Sequence, residues 1–144
     1  MFNQPVRSVM ESKKFLTAPP ETTVRKAAKL MASRNAGAVM VVEHESLVGI
    51  FTERDAVFGV IARGLDPQTT RLSEVMTTAP KSIEPDKSFG YALLVMHENG
   101  FRHLPVVEKG KLIGIVSARN ALDPDMEEFV SESQRRMQIL RERA

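Results

Sequence analysis

The chain has 144 residues, enough for one domain or for two small halves sharing a core, and no cysteine, which excludes disulfides and thiolate chemistry. Twenty Lys and Arg face 18 Asp and Glu, a formal net charge of +2, so nothing encodes a general attraction to nucleic acid or to an anionic membrane. No apolar run approaches the roughly 20 residues of a membrane span, and Met1-Phe2-Asn3-Gln4-Pro5 lacks the apolar core of an export signal, so a cytoplasmic protein is expected.

Taken in order, Arg7 to Glu11 reads as a short helical lead-in and Phe15 to Ala18 as an extended segment stopped by Pro19-Pro20. A helix follows. Thr22 or Thr23 can cap it, Val24, Ala27, Ala28 and Met31 recur at helical spacing, and Arg25, Lys26 and Lys29 are left for water. Ala38 to Val42 is a valine-rich run suited to a strand buried on both faces. The polar turn His44-Glu45-Ser46 leads to a second strand, Leu47 to Phe51, and a helix opening at Thr52 runs to about Arg63, where Gly64 can end it. Asp66-Pro67 marks a linker over 65–72.

The same grammar returns as an extended Lys81 to Ile83, a helix from Ser88 to Asn99, strands Leu104 to Val107 and Leu112 to Val116 joined by Lys109-Gly110, and a helix from Ser117. An offset of roughly 65 residues superposes the halves: Pro20 falls on Pro85, Ala27 on Ala92, Met31 on Met96, Gly49-Ile50 on Gly114-Ile115, and Arg54 on Arg119. Val9-Met10 matches Val75-Met76 one residue further on. The predicted fold is α/β (α+β): two β-α-β-β-α repeats, 1–64 and 73–123, packed pseudo-symmetrically so that each covers the other's open sheet face. The tail, 124–144, is a helix without counterpart. Its apolar stripe is Met126, Phe129, Val130, Met137 and Leu140, and packing on its own domain or a dimer mate is favoured over a separate protein partner.

Two stretches carry the chemistry: Gly49-Ile50-Phe51-Thr52-Glu53-Arg54-Asp55 and Gly114-Ile115-Val116-Ser117-Ala118-Arg119-Asn120. A hydroxyl followed three residues later by an acid or amide, just after an apolar strand, is a helix start, and taken once it is a cap worth about 1 kcal/mol. The same turn gathers N–H donors for an anion, and its carboxylate can accept from the vicinal hydroxyls of a ribose. Repetition in register favours the nucleotide reading.

From about Val6 to Leu122 the chain resembles a tandem pair of CBS domains, a Bateman module. The resemblance rests on both hydroxyl-x-x-Asp/Asn stretches, the Val-Met openings at Val9 and Val75, and Phe101-Arg102-His103-Leu104-Pro105-Val106-Val107. It implies a non-catalytic sensor, a homodimer acting on an unknown protein target, with two clefts for adenine nucleotides (AMP foremost, ADP, ATP, NADH) or S-adenosylmethionine. Carried over, the first cleft takes Thr52, Arg54, Asp55, Pro80, Lys81, Arg102, His103 and Pro105. The second takes Phe15, Leu16, Gly37, Ala38, Met40, Ser117, Arg119 and Asn120.

Residue chemistry ranks the two. Asp55 is a charged acceptor and Arg102, His103 and Lys81 can meet phosphates, whereas Asn120 is neutral and Gly37-Ala38 stand where the other repeat has Arg102-His103. The second cleft is therefore expected to be weaker, differently selective or empty. His103 alone would read as a packed core histidine; the family pattern makes it a ligand contact. His44 and His97 lack partners at metal spacing, so no metal is expected, and Met10, Met31, Met76 and Met96 read as core filling. No nucleophile with a base and no paired carboxylates argue for an enzyme. The alternative reading is a homodimeric scaffold that recruits a protein through the C-terminal helix.

Overall fold

The computed structural model describes residues 2–121 and 124–143, of which 121 and 124–131 are described by backbone alone. Strand β1 (Leu16–Ala18) leads to helix α1 (Val24–Arg34), where the Thr23 hydroxyl accepts from the Lys26 N–H at 3.3 Å and Asn35, at φ 50°, closes the last turn. Strands β2 (Ala38–Glu43) and β3 (Ser46–Thr52) form a hairpin whose turn residues His44 and Glu45 both have positive φ, 50° and 67°. β1 lies parallel to β2, and β2 antiparallel to β3. The chain turns helical after β3 as expected, but Asp55–Ile61 is wound as a π-helix. That segment sends Val60 into the core and leaves Val57, Phe58 and Ile61 exposed.

Helix α2 (Leu72–Val75) and strand β4 (Thr77–Thr78) follow, with β4 antiparallel to β3, so the first sheet runs β1-β2-β3-β4. In the second half, Ser88 caps α3 (Phe89–Asn99) by accepting from the Tyr91 N–H at 3.1 Å, and Gly100 ends it at φ 71°. Strands β5 (His103–Glu108) and β6 (Lys111–Ser117) pair as β2 and β3 do, across a Lys109-Gly110 turn with φ 52° and 80°. Of the extended segment expected at 81–83, one residue forms a bridge: Ile83, parallel to Val106. A 3-10 turn, Ala118–Ala121, stands where a helix from Ser117 was expected.

The lead-in segments pack across the pseudo-symmetry. Val6 is fully buried with Phe89, Leu104, Val106 and Val116 of the second half, and Leu72 is fully buried with Phe51, Val39 and Val41 of the first. Backbone bonds repeat the exchange. The N–H groups of Phe89 and Gly90 donate to Gln4 and Phe2 at 2.7 and 2.9 Å, and those of Val24 and Arg25 donate to Thr70 and Pro67 at 2.9 and 3.0 Å. The open N–H groups at the start of α3 and α1 are thus satisfied by arms, and 65–72, expected as a linker, is one of them. Each arm passes over the glycine that opens a motif. A Cβ at Gly114 would lie 2.7 Å from the Glu11 carbonyl oxygen, and one at Gly49 would overlap the Met76 sulphur. At Gly114, where the obstacle is backbone, only glycine admits this approach.

Within α1, Val24, Ala27 and Met31 are buried as the spacing predicts, whereas Ala28 is exposed and borders the cavity described below. Helix α4 (Pro124–Arg143) forms the tail; Met137, Ile139 and Leu140 on it are exposed, while the side chains of Met126, Phe129 and Val130 lie outside the described residues. Among the described residues no helix is long and apolar enough to cross a membrane.

Candidate functional site

Both motif turns are closed on themselves. Asp55 Oδ2 accepts from the Thr52 N–H at 2.8 Å and from its hydroxyl at 3.1 Å, while the Asp55 N–H donates back to Thr52 Oγ1 at 3.3 Å. Asn120 Oδ1 accepts from the Ser117 N–H and hydroxyl at 2.8 and 3.2 Å. In the first turn these are the reciprocal bonds of a capping arrangement and engage one of the two carboxylate oxygens, whereas in the second the described bonds run one way, into Asn120 Oδ1.

A cavity of about 940 Å³ opens between the halves. Phe15, Leu16, Gly37, Ala38, Met40, Ser117 and Arg119, assigned above to the second cleft, line it; Asn120 does not. Arg102 and His103, assigned to the first cleft, line this same cavity, whereas Thr52, Arg54, Asp55, Pro80, Lys81 and Pro105 do not. Pro105 is buried within β5, Lys81 is exposed, and the exposed Arg54 guanidinium lies over the Phe58 ring, 5.1 Å from its centroid.

The two sets mix because Gly37 and His103 meet across the seam. A Cβ at Gly37 would stand 3.2 Å from His103 Nε2 and 3.1 Å from Glu53 Oε1. The missing side chain at Gly37 makes room for the imidazole, so the small residues counted as a poor phosphate end bring the basic pair into reach. The backbone holds both edges alike: the Glu53 N–H donates to the Gly37 carbonyl at 3.0 Å and the Ala118 N–H to the Arg102 carbonyl at 2.9 Å.

Sequence reasoning missed Glu11, Lys14, Arg34, Asn35 and Glu53, all of which line the cavity. Glu53 sat inside the motif, read there as a spacer; Arg34-Asn35 offered a signal only as the end of α1. The Glu11 carboxylate is held below its ordinary pKa, chiefly by the backbone N–H groups of Lys13 and Lys14, which donate to it at 3.0 and 2.8 Å. Burial pushes the His103 imidazole below its ordinary 6.5; Glu53 opposes the shift, and Arg119 and Arg102 reinforce it. Its neutral ring can donate from one nitrogen and accept at the other. With Arg102 and Arg119 beside it, the edge suits an oxyanion such as a phosphate, which guanidinium forks match bidentately. Phe15, Met31 and Met40 supply apolar wall to the same space. Among the described residues no group of three or more His, Asp or Glu is arranged to hold a metal ion.

A family model for the CBS domain matches residues 6–61 and 72–125. The chain belongs to the CBS-domain family. Its two CBS repeats, as matched, each begin at an exchanged arm, at Val6 and at Leu72. The CBS domain-containing protein YhcV of Bacillus subtilis is 41% identical over 101 residues, 70% of this chain and 71% of the relative. A CBS domain-containing protein of Arabidopsis thaliana is 40% identical over 110 residues, 76% of this chain, which thus spans only 20% of that relative's length. Among solved structures, a CBS domain protein from Pyrobaculum aerophilum complexed with AMP shares the fold with a TM-score of 0.76 at 19% identity, over 90% of this chain and 99% of that one.

Proposed function

We propose that this CBS pair is a non-catalytic cytoplasmic sensor that binds an adenine nucleotide, AMP foremost, in the cavity between its halves, and passes the binding on as a change in how the halves or two copies are arranged. The observation that carries this reading is the cavity's lining: apolar side chains for a base, and Arg102, His103 and Arg119 for a phosphate, drawn from both repeats. A ligand held by both halves differs in affinity between their arrangements, and that difference bounds the signal it can send. The AMP complex of the Pyrobaculum relative supports the choice of ligand. Thr52 and Asp55 act in this reading as a cap. Homodimerisation through the exposed Phe58 and Ile61 of the π-helical segment and Tyr91 and Leu94 of α3 fits their apolar character.

Thermal unfolding with AMP, ADP, ATP, NADH and S-adenosylmethionine, on the wild type and on Arg102→Ala, tests the reading. A ligand that binds only the folded chain raises its melting temperature by mass action. AMP is expected to stabilise the wild type and to lose most of that effect in Arg102→Ala. Absence of stabilisation by all five at millimolar concentration sinks the proposal, and release of phosphate from ATP by the pure protein sinks its non-catalytic part.

A second reading, a scaffold that recruits a protein through α4, is favoured by the exposed Met137, Ile139 and Leu140. A partner captured equally well after truncation at Asp125 removes α4 from that account.

A further inference from the structure

The acids of the cavity are unequal. Glu11 is engaged by two backbone N–H groups, whereas the Glu53 carboxylate makes no hydrogen bond or ion pair among the described residues, although it lines a space that also holds Lys14, Arg34, Arg102 and Arg119. It faces the bare Gly37 together with His103: a Cβ placed at Gly37 would stand 3.1 Å from Glu53 Oε1 and 3.2 Å from His103 Nε2. The pseudo-symmetric position in the other half is Ala118, which lines the cavity without charge. An unpaired carboxylate at the basic edge does not strengthen phosphate binding; it repels each further negative charge brought beside it.

Resting on the reading above, we infer that Glu53 sets the charge of the ligand: it lets the cavity take a nucleoside monophosphate and turns away the triphosphate. A monophosphate ester carries about −1.5 to −2 charges near neutral pH, which four lining cations against two lining acids can balance. A triphosphate brings further charge to the same edge, and the Glu53 carboxylate stands there. Glu53 thus discriminates by repulsion, while Arg102, His103 and Arg119 supply the attraction that all phosphates share.

The test is calorimetry of AMP, ATP, orthophosphate and tripolyphosphate with the wild type and Glu53→Gln. The substitution is nearly isosteric on an exposed side chain, so the fold is retained. Glu53→Gln is expected to tighten ATP and tripolyphosphate about tenfold and AMP and orthophosphate no more than about threefold, the gap closing as salt is raised. Equal change for the one-phosphate and three-phosphate ligands overturns the inference. Weakening of AMP and ATP alike also overturns it and makes Glu53 a sugar acceptor instead. Should AMP bind no better than orthophosphate while the two inorganic anions still separate, Glu53's role stands and the adenine reading falls.

Discussion

Gly37 and Ala38 hold, in the first half, the places that Arg102 and His103 hold in the second. Each pair opens the inner strand of a hairpin, and a backbone bond from beyond the outer strand pins each in the same way. One pair supplies a cation and an imidazole; the other supplies the space into which the imidazole leans. A perfect repeat could do neither, since an arginine at 37 would fill the space the His103 ring leans into, and an alanine at 103 would remove the ring. The difference teaches that divergence between the repeats, as much as their likeness, shapes the cavity.

The arms offer the sharpest way to test how far the likeness goes. Leu72 and Val6 are both fully buried anchors in the half they do not precede. Leu72→Ala is expected to cost about 3 kcal/mol, and Val6→Ala about half that, since it deletes fewer buried carbons. Urea unfolding of both variants reads the pair, and a Leu72→Ala loss under 1 kcal/mol would show that the arm is not part of the first core.

Next come the crossing glycines. Gly114→Ala drives a Cβ into the Glu11 backbone oxygen and is expected to destabilise by about 2–3 kcal/mol; Gly49→Ala meets the flexible end of Met76 and is expected to lose nearer 1 kcal/mol. The opposite order would mean that the Met10-Glu11 arm gives way more easily than the Met76 arm. Smaller again is the cap. Asp55→Ala removes the two carboxylate bonds to Thr52 and is expected to lose about 1 kcal/mol of stability with the AMP-induced rise in melting temperature intact. A lost AMP response with unchanged stability would return Asp55 to the ligand.

The smallest effect is one of pH. The folded pKa of His103 lies below its unfolded value of about 6.5, so the unfolded chain takes up the proton first as pH falls. The stability due to the neutral ring is complete above that value and is lost as the pH drops through the window below it. Proton NMR of the ring should give a midpoint under 6.5, and Glu53→Gln should lower it further, because Glu53 holds it up. A midpoint above 6.5 would place the ring in a wetter or more acidic setting than the seam.

The hairpins, helix starts and doubled plan were legible because valine runs, capping hydroxyls and paired turn residues are local signals. Thr23, one of the two residues read as a cap, holds the start of α1, the second repeat's helix opens at Ser88 as read, and Lys109-Gly110 turns the chain as read. The arm exchange was not, because a single buried side chain such as Val6 or Leu72 makes no period. Nor was the mixing of the two clefts: nothing local says that Gly37 and His103 will meet. Glu53 was hidden for another reason, since in a motif read as a hydroxyl, two spacers and an acid for a nucleotide, Thr52 and Asp55 drew the meaning.

Backbone amide NMR during AMP addition tests the central claim most directly, because it locates the ligand as well as detecting it. Shifts concentrated at Gly37, His103, Ser117 and Ala118, saturating well below about 1 mM, are the predicted result. Shifts confined to Thr52, Asp55 and Lys81, or none at all, would contradict it.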